Sequence, residues 1–191
     1  PADLHLLGTL PRDAAYTLPE RHLGLLQADE IEDVDARIEA AATALGESVD
    51  FAAIAPARLE AQPQQPPPPL LRGRRIAVAR DAAFSFLYTA NIETLEALGA
   101  ELVYFSPLHD AALPQADAVW LPGGYPELHA EAWSNNRAMH QSLHAHVAAG
   151  RPLLAECGGM MALFDTLVTR DGETHVMAGL LPGACSMQAR F

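Results

Sequence analysis

The 191-residue chain contains no lysine; all 12 of its basic residues are arginine. A phosphate loop of the G-x-x-x-x-G-K-[ST] type, which requires a lysine, is therefore excluded, and a loop that cradles ATP phosphates would lie elsewhere. Positive charge is also scarce, with 12 basic against 24 acidic residues and a net charge of −12. The one basic cluster is RGRR at 72–75. Nucleic-acid backbones call for basic patches, so no nucleic-acid partner is expected. Cysteine is limited to two residues, Cys157 and Cys185, which make no disulfide framework and point to a reducing, cytoplasmic setting. No apolar run approaches the roughly 18 to 20 residues of a membrane span. The opening PADLHLLGTL has no basic stretch ahead of an apolar one and does not read as a signal peptide. No membrane partner is expected. What is abundant is apolar residues, 50% of the chain, enough for one large domain or two small ones.

Proline marks a boundary. AQPQQPPPPL, residues 61–70, holds five prolines in ten positions, which favours an extended polyproline segment that cannot join a helix or central strand. Residues 61–74 read as a linker between a piece at 1–60 and a domain at 75–191. In the first piece LHLLGTL, 4–10, reads as a buried strand and 11–25 as loop. Ile31, Val34, Ile38 and Ala41 give helical spacing over 28–45, with Gly46 as the stop, and 50–59 suggests a second short helix. One strand and two helices bury little, so this piece reads as the last part of a larger domain.

From residue 75 the pattern alternates. RIAVAR, ELVYFS, ADAVWLPGG and PLLAE read as strands. ANIETLEALG is a helix with Asn91 as its N-cap, Glu93 in its first turn and Gly99 as its stop. One or two helices fill 127–149, and GGMMALF opens another. Such alternation predicts an α/β fold with a mostly parallel, doubly wound sheet. Ligands in these sheets bind beyond the carboxyl ends of the strands, where YFSP, LPGGYPE and AECGG fall.

Cys157 lies between a strand and a double glycine. A nucleophile elbow has this pattern: small neighbours let a strained turn close, and the following helix N-terminus favours a thiolate. The N–H of Gly158 would then help to hold an oxyanion, joined by those of Gly124 and Tyr125 after the strand that ends in Gly123. The alternative for the cysteine is packing as a small hydrophobe, and for LPGGYPE an ordinary glycine-rich turn. Their order on one alternating sheet favours the nucleophile. Glu156 reads as structural, or as a contact to backbone N–H groups under the elbow. Cys185, in LLPGACS, reads as structural.

A thiol amidase needs a base, usually histidine. His140 and His144, four apart on a helix, could be half of a metal site but read better as a solvated face. His109 and His129 fall near strand ends, His129 where it could line the cleft. His175 falls in a hairpin at 166–180. None lies on a further strand beyond the elbow, so the base is expected past Phe191.

The segments ARDAAFSFLYTANIETLEALGAELVYFSPL, LPGGYPELHAEA and AECGGMMAL together resemble the class I type glutamine amidotransferase domain of the cobyrinic and hydrogenobyrinic acid a,c-diamide synthases. LPERHLGL resembles the end of their ATP-dependent, dethiobiotin-synthetase-like domain. The resemblance implies a flavodoxin-like sheet with Cys157 as catalytic nucleophile and Gly123, Gly124, Tyr125 and Gly158 at the oxyanion and glutamine. It implies L-glutamine, ATP and cobyrinic or hydrogenobyrinic acid as partners. ATP and Mg²⁺ would be held mainly upstream of Pro1, with Pro11, Arg12 and Asp13 touching ATP by analogy. On this reading the chain is an internal fragment with little glutaminase and no synthetase activity of its own. A homodimer is a further expectation, distinct from artefactual dimers of the fragment through a hydrophobic sheet edge that an intact protein covers. Two rivals stay open: a reactive-cysteine hydrolase or redox protein of the intracellular protease/deglycase type, and a non-catalytic amidotransferase-like docking module.

Overall fold

A computed structural model describes residues 5–21, 24–26, 28–56 and 66–188. The chain divides into two compact units, Pro1–Pro63 and Gln64–Phe191. Residues 61–65 of the expected linker lie outside the described residues.

The first unit carries little regular structure. Asp13 caps a 3₁₀ turn at Ala14–Tyr16 by accepting from the Ala15 N–H at 2.9 Å. Strands β1 (Glu20–Arg21) and β2 (Gly24–Leu25) pair antiparallel inside the stretch read as loop. A second 3₁₀ turn, Ala28–Glu30, precedes helix α1 (Val34–Ser48). The Arg37 guanidinium sits 2.8 Å from Asp33, one turn back, and holds that exposed carboxyl below its ordinary range. Three expectations are corrected. No strand forms among the described residues of 4–10; Gly8 only bridges Val49, and Leu6 is 75% exposed, so no partner strand rewards an extended run. Gly46 does not stop α1, which continues to Ser48; its backbone is not in the left-handed region that a stop requires. The second helix is a 3₁₀ turn, Phe51–Ala53. Ile31 is the one buried apolar residue among those described here.

The second unit is built on alternation. In chain order come β3 (Arg75–Ala79), α2 (Thr89–Ala97), β4 (Glu101–Phe105), β5 (Ala118–Leu121), a 3₁₀ turn at Pro126–His129, α3 (Ala130–Asn135), α4 (Arg137–Ala148), β6 (Leu153–Ala155), α5 (Gly158–Met161), β7 (Phe164–Val168), β8 (Thr174–Val176) and β9 (Leu181–Ser186). Strands β3 to β6 form a parallel sheet in the order β4-β3-β5-β6. The order reverses at β3, which opens a crevice beyond the carboxyl ends of β3 and β5. Strands β7, β8 and β9 form a separate sheet in the order β8-β7-β9; its hairpin follows the sequence, but its separation does not.

The core gathers Ala77 and Ala79 of β3, Val119 and Leu121 of β5, and Trp133, Met139 and Leu143 of α3 and α4. The Trp133 indole donates to the Ala162 carbonyl at 3.1 Å, tying α3 to the turn after α5. The outer strand β6 leaves Leu154 exposed. Tyr88, not Asn91, occupies the N-cap of α2, and Glu93 falls past the first turn, because the chain is still extended at Tyr88. His140 is corrected more sharply. It is buried in the core with its ring 4.5 Å from Trp133, not on a solvated face. Burial, helped by the Arg137 charge, lowers its pKa from 6.5 to about 4.

Candidate active site

Strand β6 ends at Ala155, and Cys157 is the N-cap of α5. The turn between them is tight enough to hold Cys157 at φ 50°, the one non-glycine residue with positive φ among those described. Such a backbone costs on the order of 1–3 kcal/mol and persists only when its surroundings hold it in place. The thiol is exposed. Strain and exposure together match an elbow that presents its side chain and not a small hydrophobe in a core.

The surroundings that hold the turn are glycines. A Cβ on Gly158 would lie 2.5 Å from the Gly124 carbonyl oxygen, and one on Gly159 would lie 2.2 Å from that of Leu121. A Cβ on Gly123 would lie 3.3 Å from the Cys157 Cβ. The two glycine clusters, more than 30 positions apart in sequence, are thus pressed backbone to backbone. Cys157, Gly158, Gly123 and Gly124 come together at the carboxyl ends of β5 and β6, with Tyr125 buried beside them. As the first residue of α5, Gly158 has an N–H without an intrahelical acceptor. Helix α5 is a single turn, so this N–H contributes more than any macrodipole.

Glu156 is exposed, and its Oε1 accepts from the Trp120 indole N–H at 3.1 Å. It is structural, and no backbone N–H contact from its side chain is present among the described residues. Cys185 is half-buried on β9; burial first, and then the Glu127 charge, push its thiol up. Among the described residues no histidine hydrogen-bonds to the Cys157 thiol. His144 Nε2 is 2.7 Å from the Ala178 carbonyl and His146 Nε2 is 3.1 Å from that of Pro152. No group of three potential metal ligands occurs among the described residues.

Pro11, Arg12 and Asp13 lie in the first unit. Arg12 and Asp13 line an open groove of about 490 Å³ with Thr17 and Arg37. The Asp13 carboxylate is engaged as a cap, and Arg37 donates to the carbonyls of Ala14 and Thr17. No helix among the described residues is long and apolar enough to cross a membrane.

Three residues escape the sequence reading. Asp81 at the end of β3 accepts three hydrogen bonds. Phe86 stacks edge-on against Tyr125 at 5.1 Å. Trp120 supports Glu156. Asp81 could have been noticed from its place at a strand's carboxyl end two residues before a small residue, an Asx-turn pattern.

The family model for the CobB/CobQ-like glutamine amidotransferase domain matches residues 75–191. A hydrogenobyrinate a,c-diamide synthase of Pseudomonas aeruginosa PAO1 is 52% identical over 191 residues, which is 100% of this chain and 44% of that protein. One from Stutzerimonas stutzeri A1501 is 53% identical with the same coverage. A cobyrinate a,c-diamide synthase of Herminiimonas arsenicoxydans is 46% identical over 97% of this chain and 43% of that protein. The chain therefore spans under half the length of the curated relatives it matches.

Proposed function

The chain belongs to the CobB/CobQ-like glutamine amidotransferase family, and we propose that its Cys157 hydrolyses L-glutamine to supply ammonia to an ATP-dependent a,c-diamide synthase. The observation that carries the reading is the exposed, strained Cys157 locked between two glycine clusters. The Cys157 sulfur attacks the glutamine carboxamide carbon, and the carbonyl electrons move onto oxygen. The Gly158 N–H, with those of Gly124 and Tyr125 after Gly123, stabilises that oxyanion. The C–N bond then breaks, and nitrogen leaves as ammonia after gaining a proton. Water hydrolyses the glutamyl thioester, releasing glutamate and restoring the thiol. The proton carrier is expected to be a histidine past Phe191.

In the full-length protein the ammonia amidates the a and c carboxylates of a corrin precursor in cobalamin biosynthesis. Hydrogenobyrinic acid is favoured over cobyrinic acid because the relatives at 52% and 53% identity carry the former name. ATP and Mg²⁺ bind mainly through parts of that protein other than this chain, with Pro11, Arg12 and Asp13 at most bordering the nucleotide. Two free thiols accord with a cytoplasmic setting. The 191-residue chain alone is expected to show little glutaminase and no synthetase activity.

The test is glutamine hydrolysis by the full-length protein, with Cys157→Ala beside it, and amidation of hydrogenobyrinic acid with ATP and Mg²⁺. Glutamate release that disappears with the cysteine supports the reading. Hydrolysis that survives Cys157→Ala, or amidation only of cobyrinic acid, would refute the nucleophile or the substrate respectively.

A further inference from the structure

The segment after β3 lies against the peptide units that the proposed mechanism uses for the oxyanion. It is anchored three times. At its start both Asp81 oxygens are occupied: Oδ1 accepts from the Ala83 N–H at 2.9 Å, and Oδ2 accepts from the Ser106 hydroxyl at 2.8 Å and the Leu108 N–H at 2.9 Å. In the middle Phe84 is fully buried with its ring edge-on to Trp133, 5.8 Å away. At its end the Phe86 N–H donates to the Gly123 carbonyl at 3.0 Å.

Contact with the site is direct. The Ala83 carbonyl oxygen would lie 2.1 Å from a Cβ on Gly124, so only glycine fits beneath it. The Phe86 ring and the Cys157 Cβ both press on Gly123, and that ring also meets Tyr125. The peptides Gly123–Gly124–Tyr125 are therefore held between the cysteine turn on one side and residues 81–86 on the other.

We propose that Asp81 is a positioning residue for glutamine hydrolysis: by fixing residues 81–86 it aims the Gly124 and Tyr125 peptides at the developing oxyanion. This rests on the proposed glutaminase reading of Cys157. An ionised carboxylate offers acceptors only, which suits the three donors that converge on it. Asparagine has the same shape but turns an NH₂ toward one of the donors. Whichever way it rotates, the N–H of Ala83 or of Leu108 loses its acceptor. The anchor loosens while the thiol and the glycines remain.

The experiment compares full-length wild type, Cys157→Ala, Asp81→Asn and Ser106→Ala; rates of the three proteins that keep Cys157 are normalised to the iodoacetamide titre in excess of that of Cys157→Ala. Oxyanion stabilisation acts on the transition state and not on bound substrate. Asp81→Asn should therefore lower kcat for glutamine by roughly 10- to 100-fold, less than deleting a donor outright, and move KM by less than about threefold. The iodoacetamide rate should be unchanged. Ser106→Ala, which removes one of the three bonds, should lower kcat less and in the same sense, and it serves if Asp81→Asn does not fold. A purely structural aspartate would leave kcat per titrated thiol at the wild-type value in Asp81→Asn, or in Ser106→Ala where that variant stands in, and either result overturns the inference. So does a rise in KM alone, or an iodoacetamide rate that falls with kcat. Wild type without cysteine-dependent glutaminase would overturn the proposed function and this inference with it. Wild-type activity lost in Cys157→Ala but kept in Asp81→Asn overturns the inference alone.

Discussion

Gly159→Ala gives the sharpest test of how the cysteine turn is held. Its backbone is not in the left-handed region, so the substitution adds volume without added conformational strain. The new Cβ would lie 2.2 Å from the Leu121 oxygen, 2.7 Å from the Pro122 oxygen and 2.8 Å from the Leu121 carbonyl carbon. Favourable C···O contacts settle near 3.3–3.6 Å, so α5 must move away from the end of β5 by roughly 1 Å. Both sides are backbone, and neither can rotate aside. Overpacking of this kind costs about 1–3 kcal/mol. Replacing glycine by alanine returns about 0.4–1 kcal/mol through the unfolded chain. The net expectation is a loss of about 1 kcal/mol. With a urea slope of about 1–3 kcal/mol/M, the midpoint should fall by roughly 0.5 M. In the 191-residue chain tryptophan fluorescence reports the relevant unit, because its two tryptophans, Trp120 and Trp133, both lie there. The shift also carries Cys157, two residues away. A 1 Å misplacement can cost about 10²-fold in rate, so glutaminase activity of the full-length variant should fall by about that factor. A midpoint at or above wild type would mean that α5 and β5 do not approach this closely, and the account of the turn would be wrong.

Two further outcomes follow from the same geometry. Cys157→Gly should be more stable than Cys157→Ala by about 1 kcal/mol, since glycine relieves a positive φ that costs alanine roughly 1–3 kcal/mol while itself losing about 0.5–1 kcal/mol in chain entropy. Equal urea midpoints would show that the turn is unstrained. His140 binds its proton at a pH of about 4 when folded, against an ordinary 6.5. The unfolded chain therefore takes up a proton that the folded one refuses, so the contribution is complete above pH 6.5 and is lost as pH falls through about 4. His140→Phe should flatten that part of the stability profile, and an unchanged slope would place the titration elsewhere.

What the sequence by itself determined is local. Strand–helix alternation, the glycines after two strands and a cysteine at a strand-to-helix turn are patterns of neighbouring residues. They were enough for the parallel sheet and for the residues at the carboxyl ends of β5 and β6. The short-range signals were least reliable where a tertiary partner decides. LHLLGTL has the composition of a strand, but its described residues form only a bridge through Gly8. His140 sits at a spacing that suits a solvated face, yet packing against Trp133 buries it. The tertiary structure alone decided that the Gly124 carbonyl lies against Gly158 and that the Ala83 carbonyl lies against Gly124. It also decided that Ser106 and Leu108, from the turn after β4, converge on Asp81 at the end of β3. Such contacts join segments far apart in the chain. They depend on which strands become neighbours and on backbones meeting at distances that no residue with a Cβ allows, and neither is written in any one stretch of sequence.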